Sequence, residues 1–273
     1  MNAQIALGMW RVETRKLLSR GVGRAGLVAM VLVALAMPML LHQMANSGHL
    51  FNGVEPTYTN TAAEGLQWTL WLRNFWILRM FIVALAAMSF AGELQSKTLR
   101  EDLIQPVPRW SVLVAKWAAL VTWIGIGLGL SWLVAGALGV ILFGVEGDWQ
   151  MVVLAWLTSW LCDSAIAALA LCAATFLRTV VMSLLSCLFF LAADWFLGIG
   201  LSIASWAAEM AEIPTLLQAT LQIRPWLPSS AFGVWTSFSG GEPWLWQHFA
   251  ALAAITFGSL ALGTLRFNRT DVH

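Results

Sequence analysis

Charge is what this 273-residue sequence has least of: Asp, Glu, Lys and Arg together make up 11% of it, less than half the roughly 25% of a soluble globular domain. A fold surrounded by water is excluded. Lysine occurs three times, at Lys16, Lys97 and Lys116, and never after a glycine, so the Gly-Lys-Ser/Thr loop that cradles nucleotide phosphates is absent. The four histidines lie at the edges of apolar runs or beyond them. Neither His-Glu-x-x-His nor Gly-x-Ser-x-Gly occurs, which leaves no metalloprotease or serine-hydrolase constellation. The three cysteines, Cys162, Cys172 and Cys187, sit inside apolar stretches and read as small core hydrophobes rather than disulfides or thiolate ligands. A net charge of +1 excludes both the basic excess of a nucleic-acid binder and the acidic excess of a disordered chain.

What is present is hydrophobic. The apolar share is 59%, with 17 tryptophans against one tyrosine and a mean hydropathy of +0.76. About 20 apolar residues as helix cross the roughly 30 Å hydrocarbon core and satisfy their own backbone polar groups. Six runs qualify, at about 25–41, 75–92, 117–143, 151–177, 179–201 and 244–265. The expected fold class is an all-α integral membrane protein, a single transmembrane domain over 1–273. The charged stretch before the first run is too long for a secretory signal, so that run reads as a retained helix.

Lys and Arg resist translocation when they lie near the ends of spans. Twelve of the fifteen basic residues fall on one side of the six-span pattern, and only Arg73, Arg79 and Arg224 on the other. Both termini are therefore expected in the cytosol, with formal charges of +7 inside and −4 outside. Trp68, Trp71, Trp76, Trp149, Trp244 and Trp246 fit an outer aromatic belt, and Trp10, Trp110 and Trp117 an inner one. Residues 3–18 place Ala3, Leu7, Trp10, Thr14, Leu17 and Leu18 on one face, the pattern of a helix lying in the interface. In the outer segment 202–243, Trp206, Met210 and Ile213 repeat at helical spacing, Pro214 interrupts, and a second run follows from Thr215 to Ile223. Two short re-entrant helices on the outer surface are expected there.

The connection 93–116 reads Glu93, then Lys97, Thr98, Leu99, Arg100, Glu101, Asp102, Leu103, Ile104, Gln105, Pro106, Val107, Pro108, Arg109, and finally Lys116. It resembles the permease subunits of type-2 ATP-binding cassette (ABC) exporters. In that family a Glu after the second span precedes a Gly-Thr-Leu turn, a short helix, a Pro-Val-x-Arg segment and a Lys at the start of the third span. Glu93, Thr98, Leu99, Pro106, Val107, Arg109 and Lys116 match, and Lys97 stands where the family usually has Gly. The run from Arg266 to Asp271 also resembles the family's ending.

The resemblance implies that 93–116 is a coupling segment. Leu99, Leu103 and Ile104 would supply apolar contact to a cytosolic ATPase and Arg100, Glu101 and Asp102 a polar rim, with Glu93, Lys97, Thr98, Pro106 and Arg109 in the same segment. The plain alternative is a solvated connector whose charges enforce topology. The resemblance further implies a multi-pass protein of the bacterial cytoplasmic (inner) membrane. Its partners would be an ABC ATPase in two copies, a second permease copy or a homologous permease, and the lipid bilayer, with no nucleic acid. The chain would be a non-catalytic subunit forming the substrate pathway of an exporter; it would bind no cofactor, ATP and Mg2+ belonging to the partner. The alternative function is a secondary transporter or a membrane assembly factor independent of ATP.

Three ionisable residues fall within the runs, where charge is costly. Asp163 lies near the midplane, Asp194 in the outer leaflet, and Arg79 about 6 Å below the outer surface, counting 1.5 Å per residue. Depth makes Arg79 and Asp194 candidate partners between the second and fifth spans. The alternatives are snorkelling of Arg79 to the headgroups and a protonated or capped Asp163 within the bundle. Gly125 and Gly129 form a small-xxx-small pair, read as packing within the chain. Met37, Met39, His42, Met44 and His49 gather at the end of the first run; their donors suit Cu(I), but the spacing matches no particular site, and packing is the simpler reading, with no metal assigned.

Overall fold

The computed structural model describes residues 3–47, 61–74, 76–99, 108–228, 231 and 245–269, and every element among them is helical. Helix α1 (Ala3–Ser19) runs into α2 (Gly21–Ser47) with a break at Arg20. Gly23 makes this corner possible: a Cβ there would collide with the Leu17 carbonyl oxygen. The buried side of α1 centres on Glu13 and Leu17, with Trp10 and Thr14 partly covered, while Leu7 is exposed. The helix expected over 3–18 is there, but its inward face is turned toward a carboxylate.

The second span differs most from expectation. It begins thirteen residues early, with α3 (Ala62–Asn74), continues as α4 (Trp76–Ala87), and ends in a π-helical turn, Met88–Gly92, and a short turn, Glu93–Gln95. The two limbs meet at 44°. Its first limb hides in the sequence because Glu64, Gln67 and Arg73 make it polar. Yet Leu66, Thr69, Leu70 and Arg73 follow an i, i+3, i+4, i+7 pattern, and all four are buried.

Helix α5 (Arg109–Phe143) is the hub, packing on α1, α2 and α3 and on two helices that follow, α6 (Trp149–Leu177) and α9 (Leu245–Asn268). It starts eight residues before the expected third span, so Lys116 sits two turns inside the helix rather than at its beginning. Gly144 and Gly147, with φ of +83° and +127°, turn the chain into α6, whose first turn is capped by Asp148 accepting from Met151 N at 3.1 Å.

Helix α7 (Val180–Met210) follows α6 after a two-residue turn in which Arg178 takes φ +56°. At 1.5 Å per residue its 31 residues extend about 46 Å, well beyond a 30 Å hydrocarbon core. The first of the two expected outer helices is thus the end of α7, since no breaker separates 201 from 210. The chain then reverses through Ala211–Ile213, with Glu212 at φ +54°, and α8 (Pro214–Ile223) folds back against α7.

Among the described residues five helices are long and apolar enough to cross a membrane, and the bent second span would make six. Trp10 and Trp117, expected as interface anchors, also join helices, as does Trp123. Trp10 Nε1 donates to Thr122 Oγ1 at 3.0 Å, Trp117 Nε1 to the Ser164 carbonyl at 3.0 Å, and the fully buried Trp123 Nε1 to the Gly23 carbonyl at 3.3 Å. A helical carbonyl keeps a second lone pair for such donors. Gly125 packs against Trp160 within the chain, whereas Gly129 faces open space.

Candidate functional site

Among the described residues two clusters of charged side chains are buried in the bundle. The first lies where the 93–116 segment leaves the helices. Five groups alternate in sign along a chain of contacts. Lys16 donates to Glu13 at 2.9 Å, Lys116 Nζ donates to the other Glu13 oxygen at 2.8 Å and also to Glu93, and Arg20 donates to Glu93 at 2.7 Å. Lys116 is 1% exposed and both glutamates are buried. Burial pushes the Glu13 carboxyl up, but the Lys116 and Lys16 charges and hydrogen bonds outweigh it and hold the group below its usual range. The chain ties together α1, the α1–α2 corner, the foot of the second span and α5.

Beyond Glu93 the backbone turns sharply. Lys97 takes φ +63°, a left-handed conformation that glycine adopts without cost and other residues rarely adopt. Lys97 N donates to the Leu94 carbonyl at 3.2 Å, and Thr98 Oγ1 contacts Ser96 Oγ at 2.9 Å. Lysine therefore keeps the turn for which the matching motif uses Gly. Leu99 is 0% exposed and belongs to the chain's own core. This corrects its expected place: it anchors the segment inward instead of offering a face to a partner.

At the other end of the segment, Arg109 Nη1 donates to the Phe267 and Asn268 carbonyls at 3.1 and 3.3 Å, and its guanidinium lies 5.7 Å from the centre of the Phe267 ring. These are the last carbonyls of α9, where a cation also meets the negative end of the helix dipole. Arg109 thus ties the segment's exit to the last helix. Arg100, Leu103, Ile104 and Pro106 lie outside the described residues.

The second cluster lies at the break in the second span. Arg73 Nη1 is 2.6 Å from Asp163 Oδ2, and Arg79 Nε is 3.5 Å from Asp163 Oδ1. Arg73 is 2% exposed and Asp163 0%. Arg73 Nη1 also donates to Asn74 Oδ1 at 2.7 Å and Ser159 Oγ at 3.2 Å, and Ser159 donates to Asn74 Oδ1 at 3.0 Å. Arg79 thus lies beside Asp163, an acid that the depth count did not pair with it. Counted as one bent span, the helix starts at Ala62, seventeen residues before Arg79, or roughly 25 Å at 1.5 Å per residue. Asp194 is buried on α7, which packs on α4. Asp163 precedes the end of α6 by fourteen residues and Asp194 follows the start of α7 by fourteen, so both acids stand at one height on the hairpin.

A family model for the ABC-2 family transporter protein matches residues 23–194, well over half of the chain. The chain belongs to the ABC-2 transporter family. The match takes in the bent second span, α5, α6 and both acids of the α6–α7 hairpin. No curated protein matches this ABC-2 transporter. The second charge cluster lies wholly inside the matched region; of the first, Glu93 and Lys116 lie inside it and Glu13, Lys16 and Arg20 precede it.

Sequence reasoning found Glu93, Arg109, Lys116 and Asp163 but missed Glu13 and Arg73. Glu13 entered the sequence reading only in the inside charge total; its local signal is Lys16 at i+3. Arg73 was counted as an outer-loop cation; its signal is the helical stripe it shares with Leu66 and Leu70. At the Met-rich end of α2, Met37 is buried, Met39 is exposed and the His42 ring packs edge-on against Phe143, 5.7 Å between centres. Among the described residues no group of three His, Cys, Asp or Glu side chains converges as metal ligands; His49 lies outside them.

Proposed function

We propose that the chain is the membrane subunit of an ATP-driven exporter. It forms the substrate pathway and is coupled through 93–116 to a separate cytosolic ATPase. The segment's ends are held to different helices, and this carries the reading. Glu93 and Leu99 fix the entrance to α1, α5 and the core, and Arg109 fixes the exit to the end of α9. A partner pressing on the eight residues between Leu99 and Pro108 would move these helices as a unit.

In this reading six spans cross a bacterial cytoplasmic membrane with both termini inside. Two copies, or this chain and a homologue, stand over two ATPase subunits that bind ATP and Mg2+. Affinity purification of the tagged chain from native membranes tests the reading. A P-loop ATPase is expected in stoichiometric amount, lost when Leu103 and Ile104 are both changed to Ser. Recovery of the folded chain without any P-loop ATPase would overturn it.

A further inference from the structure

The cluster at the break of the second span offers more hydrogen-bond donors than its own residues use. Among the described residues, Arg73 Nε, Asn74 Nδ2 and Trp156 Nε1 are buried N–H donors without a hydrogen-bond partner. Asn74 Oδ1 already accepts from Arg73 and Ser159. Both Asp163 oxygens lie against guanidinium groups, yet neither receives an aligned hydrogen bond. Buried polar groups are ordinarily satisfied, so a group of unsatisfied donors in one polar cluster calls for an explanation.

The position adds to this. Asn74 is the last residue of α3, at the 44° bend, and Trp156 lies one turn from Ser159 on the buried side of α6. Interrupted helices of this kind place polar groups at depth without exposing them to lipid. A planar guanidinium with a free edge, an indole N–H and an amide NH2 are all donors and suit a group made only of acceptors.

We infer that this wall binds the oxyanion of an amphipathic molecule, a carboxylate or phosphate carried on an apolar tail. The incoming oxyanion competes with Asp163 for Arg73. Binding therefore loosens the tie between α3 and α6 and is linked to the bend of the second span. The inference rests on the exporter reading, because it names the class of cargo.

The test is isothermal titration of the purified full chain in an uncharged maltoside detergent, with dodecyl phosphate and laurate as probes. Inorganic phosphate and dodecyltrimethylammonium are the comparison arms. Saturable binding is expected for the two tailed anions, none for inorganic phosphate at the same concentration, and no competition from the cation. Trp156→Phe removes one unpartnered N–H. It should weaken binding about fivefold, roughly one hydrogen bond, while leaving the melting temperature of the unliganded chain unchanged. Asn74→Asp keeps the acceptor for Arg73 and Ser159 and should weaken binding more than tenfold. Absence of saturable binding, equal binding of inorganic phosphate, or unweakened binding by Trp156→Phe, whatever Asn74→Asp does, overturns the inference. A chain that retains its ATPase but fails this titration loses the site and keeps the exporter reading.

Discussion

Lys97 shows how one residue can conceal and preserve a feature. Against the Gly-Thr-Leu turn of the matching motif it is a mismatch, yet its φ of +63° is the conformation that explains a glycine there. A side chain in this region costs about 1–2 kcal/mol, partly offset because glycine is more flexible in the unfolded chain. Lys97→Gly should therefore raise stability by up to about 1 kcal/mol, and Lys97→Val, with a branched Cβ, should lower it; thermal unfolding in detergent distinguishes the two. Local spacing revealed the segment but not the backbone angle that unifies it. Leu99 was equally illegible: an apolar residue beside charges looks like a contact for a partner, and only tertiary packing shows that it points inward.

Among the elements, α1 carries the largest revision. Hydrophobic periodicity identified the helix but not the burial of Glu13, since a lone carboxylate gives no sign that its partner lies 103 residues away on Lys116. Removing one partner of a buried ion pair costs about 3–5 kcal/mol because the other charge is stranded. Lys116→Met should lower stability by that order, leaving Glu13 and Glu93 facing one another, and adding Glu13→Gln should restore part of the loss, measured as a double-mutant cycle. Glu13 also gives a pH signature. Its folded-state pKa lies below the ordinary 4.5, so its contribution is fully present above that value and is lost as pH falls through the depressed one. Melting temperature should drop on acidification below about 4.5 in the parent and drop less steeply in Glu13→Gln.

At the scale of the whole molecule, the apolar runs and the bias of basic residues were legible because hydrocarbon tolerates few patterns. The polar first limb of the second span was not, because burial there is earned by Asp163 on a distant helix and not by local hydropathy. Arg73 and Arg79 beside Asp163 change the charge account: these two arginines with the buried Asp163 and Asp194 sum to zero, while Lys16, Arg20 and Lys116 with Glu13 and Glu93 carry +1. The excess of basic charge at the end bearing Glu93 is unaffected, and the segment held at both ends lies there. The most direct measurement places a photoreactive amino acid at position 103 of the full chain in native membranes and identifies what it captures. The account predicts a covalent adduct with a P-loop ATPase that is absent when the probe is moved to position 146. A folded chain giving no ATPase adduct at 103 would contradict it.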